Sequence, residues 1–206
     1  MPEPVTQTGC TLLMANWGLM VMPNNQSPTY KSVLRRFEKS TAAVQWYLEH
    51  LPQLVKGYPW EVSLAWVFLR VEQAHHRALY CGVVKLHKAD RQLAERAVNG
   101  HHMTRNGFND LFENVFGSRL SETTSKTISK AEHIRDQVIH GKDVKIAAIR
   151  DALVDVIEYA ELLNAEVKAH AGVEPFGRLT GFKGRGKPLD KSTSRWLLKG
   201  VGFNIN

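Results

Sequence analysis

The sequence predicts an all-α protein, a bundle of four to five helices followed by an irregular basic C-terminal tail. Three observations carry that expectation. Apolar residues recur at steps of three and four through most of the chain. No stretch alternates apolar and polar residues as a half-buried strand does. The last segment holds seven Lys/Arg against two acids, so positive charge is concentrated at one end. These signals divide the chain into a leader over 1–27, a helical domain over 28–170 and a tail over 171–206.

Ser27-Pro28 reads as an N-cap followed by proline at the first helical position. Val33, Phe37, Val44, Leu48 and Leu51 follow at helical spacing, until Pro52, Gly57 and Pro59 close this first helix. Trp60, Leu64, Val67, Val71, Ala74, Ala78 and Cys81 form a seam along a long second helix reaching about Lys88. Trp66, Phe68 and Leu69 make its start apolar nearly all round, as suits a central helix or one that also meets a second subunit. A short helix over 90–98 is broken by Asn99, Gly100, His101 and His102. Thr104 to Phe116 carries Phe108, Leu111, Phe112, Val115 and Phe116 on about three turns. Ser121 or Thr123 then caps a helix running from about Thr124 to His140. Its apolar side holds Ile128, Ala131, Ile134 and Val138, and its polar side Ser129, His133, Asp136 and His140. Gly141 is a natural stop. The last helix opens near Asp143, with Ile149, Leu153, Val156, Ile157, Ala160, Leu163 and Val167 inward and Arg150, Asp151, Asp155, Glu158 and Glu161 toward water.

A chain of 206 residues with 43% hydrophobic and 23% charged residues has room for one good core. Its net charge of +7 and pI near 9.5 favour an acidic partner, nucleic acid before a membrane surface. Cys10 and Cys81 allow neither a disulfide framework nor a zinc ribbon, and a reducing, cytoplasmic setting fits. The apolar run from Cys10 to Met22 is too short to span a bilayer and lacks the basic residues that open a signal peptide, so no membrane association is expected.

The tail offers Lys183, Arg185, Lys187, Lys191, Arg195 and Lys199 to phosphates, with Phe182 and Trp196 able to stack on bases. A solvated, mobile basic segment accounts for the same composition. "GFKGRGKP" at 181–188 nearly matches the phosphate-binding P-loop, but Pro188 stands where the magnesium-binding Ser or Thr belongs, and no strand precedes it.

The stretch "IRDQVIHGKD" allows three readings. Asp136 pairs a nearby base while His140 meets the helix dipole and Gly141 completes the cap. Alternatively, His133, Asp136 and His140 share a helix face as metal ligands, although three ligands on one helix rarely converge on one ion. The third reading is half of an active site.

Arg135, Asp136 and His140, at a helix end before a last amphipathic helix, resemble the HEPN superfamily. Its hallmark is an arginine, four to six residues, then a histidine, with a polar residue directly after the arginine. The resemblance covers about 28–170 in architecture and is specific in sequence only around 132–165. Arg70 also precedes His75 and His76, and Arg96 precedes His101 and His102. Val71 and Ala97 follow those arginines, so they lack the polar neighbour. Lys142 stands where one subtype carries a tyrosine for nucleotide addition, which argues against that form of regulation.

The resemblance implies a HEPN-like bundle acting as a metal-independent RNA endonuclease that needs no cofactor. It also implies a homodimer whose two motifs share one cleft, a toxin or antiviral-defence role, and an antitoxin or defence-system partner protein. The chemistry suits the residues. RNA carries its own nucleophile, the 2′-hydroxyl. Histidine moves protons near neutral pH, and arginine holds a phosphate with planar donors and permanent charge. A non-catalytic helical RNA-binding or adaptor domain is the alternative, with a structural cap and a tail that binds the partner.

Overall fold

The computed structural model describes residues 30–179 and 187–205. The leader, the Ser27-Pro28 cap, Cys10, Phe182, Lys183 and Arg185 lie outside the described residues. Among the described residues the chain is all-helical. The helices are α1 (Tyr30–Glu38), α2 (Ala42–Tyr47), α3 (Leu51–Gly57), α4 (Trp60–Lys85), α5 (Arg91–Asn99), α6 (Arg105–Phe116), α7 (Glu122–Ile139), α8 (Ile146–Ala171) and α9 (Lys191–Gly200). Two long helices carry the core. α8 packs against α7, α4, α1 and α2, and α4 also meets α3, α5 and α6. Every α8 residue expected to face inward is buried. Among the described residues, no helix is long and apolar enough to cross a membrane.

The first expected helix is three short ones. Glu161 of α8 explains one break. Its carboxylate accepts from Arg36 Nη2 at 2.7 Å and from the Thr41 backbone N–H at 2.9 Å, so it pins the chain where α1 hands over to α2. Glu161 is therefore half-buried rather than turned fully to water. Pro52 does not close a helix but sits in the first turn of α3, where its missing N–H costs nothing.

Close approach of α4 and α6 requires Gly82. A Cβ there would collide with Val115 Cγ1 and lie 2.9 Å from Phe116 Cζ. Cys81 beside it is buried, which pushes its thiol up to about 12 and leaves it unreactive.

The segment after α8 departs from the expected irregular tail. Val173, Phe176, Leu198, Phe203 and Ile205 are all buried in the core. Asn164, inside α8, fixes the return of the chain. Its amide donates to Phe176 O at 3.0 Å, and its oxygen accepts from Phe176 N–H at 2.7 Å. Arg77 adds a hydrogen bond to Gly177 O. Further on, Leu189 N–H donates to Lys88 O at 2.8 Å, and Asp90 N–H to Ser194 Oγ at 2.8 Å, which seats α9 against α5. Asp190 caps α9 by accepting from Ser192 and Thr193 N–H.

Candidate functional site

The site begins with how α7 is held. Ser121 Oγ caps its start by accepting from Thr124 N–H at 3.2 Å. Its end is a Schellman motif: Gly141 N–H donates to Val138 O and Lys142 N–H to Gln137 O, both at 3.0 Å. Gly141 takes the left-handed φ of 66° that this closure needs. His140 is thereby fixed as the C-cap directly after Ile139, the last residue of the helix, and both side chains are exposed to solvent.

One turn earlier, Arg135 lies at the mouth of a cleft of about 570 Å³ between α4, α7 and the link from α5 to α6. Asp136 Oδ1 accepts from Arg135 Nε at 3.0 Å and Nη2 at 2.8 Å. Glu72 Oε1 stands 3.9 Å from Nη1, and Phe68 lies 4.9 Å beneath the guanidinium carbon. The arginine is thus oriented from three sides while its side chain keeps a quarter of its surface open. Asp136 therefore holds Arg135 in its orientation.

His140 does not line this cleft. Five residues past Arg135, it is turned about 140° around the helix axis. The histidines that do line it are His75 and His102, which follow Arg70 and Arg96. They play unlike parts. His75 is a buried wall, stacked on Phe108 at 3.8 Å, with Nε2 2.6 Å from Tyr159 Oη. Burial first, and the charge of His76 second, push its pKa down to about 3, so it is neutral. Burial likewise holds Tyr159 well above the ordinary phenol range, with the nearby Glu132 and Glu166 carboxylates adding to it. His102 is exposed on the link between α5 and α6.

The arginines of the other two pattern matches lie outside this cleft. Arg70 donates through Nε and Nη2 to Tyr47 O and lies 4.0 Å over the Tyr47 ring. Arg96 is exposed on α5, while His101 packs edge-on against Phe203 at 5.8 Å. The triad considered for a metal is also engaged elsewhere: Gln137 Nε2 pairs with His133 Nε2 at 3.0 Å, and Asp136 holds Arg135. Among the described residues, no group of three His, Cys, Asp or Glu side chains is placed to hold a metal ion.

The basic segment becomes a shaped surface. Lys191, Arg195 and Lys199 stand exposed on successive turns of α9, with Trp196 79% exposed beside them. Lys187 is exposed before the helix. The run Asp190-Lys191-Ser192-Thr193 carries the capping signal for this helix, which sequence reasoning passed over. Glu72, Glu132 and His102 were also missed as cleft residues. No signal along the chain points to Glu72 and His102, because they join Arg135 only through the crossing of α4 and α7 and the course of the α5–α6 link, whereas Glu132 stands three residues before Arg135 on α7 itself.

No protein-family model, curated protein or solved structure matches this chain.

Proposed function

We propose that the protein is a metal-independent RNA endonuclease of HEPN type, acting as a homodimer with an antitoxin or defence-system partner. The observation that carries this reading is the setting of Arg135. A guanidinium oriented by Asp136 and Glu72 opens onto a cleft, on the helix whose end presents His140. Arg135 binds the scissile phosphate and stabilises its developing charge. His140 of the second copy supplies the general base, since within one chain it turns away from the cleft. Ile139, beside His140, and Val62 and Leu69 on α4 are exposed apolar side chains suited to the contact between copies. The ridge on α9 holds the RNA backbone, and Trp196 stacks on a base.

The test is cleavage of single-stranded RNA in EDTA by the parent, Arg135→Ala and His140→Ala. Each variant should lose on the order of a hundredfold or more in rate with the helical signal unchanged. Parent-like cleavage by His140→Ala would overturn the reading.

The position of His140 favours one rival. An exposed histidine outside the arginine's cleft suits a helix cap in a non-catalytic RNA-binding module. That module would bind RNA through α9 and never cut it. A parent protein that shifts RNA on a gel and leaves it whole would establish this second reading.

A further inference from the structure

Two proton transfers are needed to cut RNA through its 2′-hydroxyl, and His140 accounts for one of them. We infer that His102 supplies the second, as the general acid, from within the same chain as Arg135. This rests on the endonuclease reading and adds a catalytic residue to it.

Three observations carry the assignment. His102 lines the cleft that Arg135 opens onto, together with Asp136 and Glu72. It is exposed, so its ring is free to reach a bound strand, whereas His75, which lines the cleft from α4, is buried and held neutral. The short link that carries it is anchored on both sides. His101 packs edge-on against Phe203, Met103 packs on the core, and Thr104 caps α6 by accepting from Gly107 N–H at 3.1 Å. Of the link residues that line the cleft, His102, Met103 and Thr104, only His102 carries an imidazole, on a backbone anchored at both ends, as preorganised catalysis requires.

The step balances as follows. His140 of the second copy takes the 2′-hydroxyl proton, and the 2′-oxygen forms a bond to phosphorus. The bond from phosphorus to the 5′-oxygen breaks. The departing 5′-oxygen takes the proton of the His102 imidazolium, while Arg135 holds the non-bridging oxygens. The products are a 2′,3′-cyclic phosphate and a 5′-hydroxyl.

A leaving-group substitution tests the role itself. Full-length His102→Ala, His140→Ala and His133→Ala are compared on an ordinary RNA and on one whose scissile 5′-oxygen is replaced by sulfur. The thiolate leaves without a proton. On ordinary RNA, His102→Ala should fall about a hundredfold or more, and His133→Ala should match the parent. On the 5′-thio substrate, His102→Ala should recover to near the parent rate and His140→Ala should not. A merely structural role for His102 would give a loss that sulfur does not restore. An active parent with parent-like His102→Ala, or with no sulfur rescue, overturns this assignment alone. A parent that cuts neither substrate, or His140→Ala at the parent rate, overturns the endonuclease reading and this assignment with it.

Discussion

Acid should unfold this protein early, and His75 should be a principal cause. The ring is buried at the cleft wall, against Phe108 and Tyr159, with His76 adding an unfavourable charge. Its folded pKa is about 3, against 6.5 for an ordinary histidine. Between those values the unfolded chain holds one proton more than the folded chain, so folding stability rises with pH across that window. The contribution is fully present above pH 6.5 and is lost as pH falls toward 3. At about 1.4 kcal/mol per pH unit, His75 alone removes roughly 2.7 kcal/mol by pH 4.5. A domain of typical stability, about 5–15 kcal/mol, would feel that as a large fraction. Asp190, whose carboxyl is held low by Thr193, acts in the same direction at lower pH, whereas half-buried Asp155, raised by desolvation, acts oppositely. A substitution is needed to isolate the histidine. His75→Gln keeps a polar partner for Tyr159 and cannot take up a proton. Urea unfolding of both proteins at pH 7.0, 6.5, 5.5 and 4.5, conditions chosen to span the window, gives each stability curve. The parent should lose about 2–3 kcal/mol more than His75→Gln between pH 6.5 and 4.5. Parallel curves would refute the argument that burial keeps this ring neutral.

Gly82→Ala should destabilise by about 1–3 kcal/mol, because the collision with Val115 and Phe116 outweighs the helix propensity gained, and a raised urea midpoint would contradict the close crossing of α4 and α6. Asn164→Ala should cost roughly 2–4 kcal/mol by leaving the Phe176 N–H and C=O buried without partners, seen as lost hydrogen-exchange protection at Phe176. Replacing Lys191, Arg195 and Lys199 together with Gln should weaken RNA binding and flatten its logarithmic salt slope by about two, and an unchanged slope would remove α9 from the RNA surface. Deleting 171–206 is not an equivalent test, because Phe176, Leu198 and Phe203 would leave the core with it.

Local periodicity determined much of this protein. The seam from Trp60 to Cys81 and the inward set of α8 are buried as their spacing implies, because a long amphipathic helix has only one way to hide its apolar face. Ser121 and Gly141 bound α7 as expected, since caps depend on neighbouring residues alone. Two features belonged to tertiary structure. The C-terminal segment reads as a tail because its apolar residues are sparse, and only the partners on α8 and α5 make them core. Asn164, Arg77 and Asp90 supply hydrogen bonds that no local pattern encodes. The site is the sharper case. Arg135 and Asp136 are legible as adjacent residues, but the cleft they face is assembled from α4 and the α5–α6 link, tens of residues away in sequence. Spacing along the chain says that His140 follows Arg135. Only the helix's rotation, fixed by burying Ile128 and Ala131, decides that Arg135 faces His102 and His140 does not.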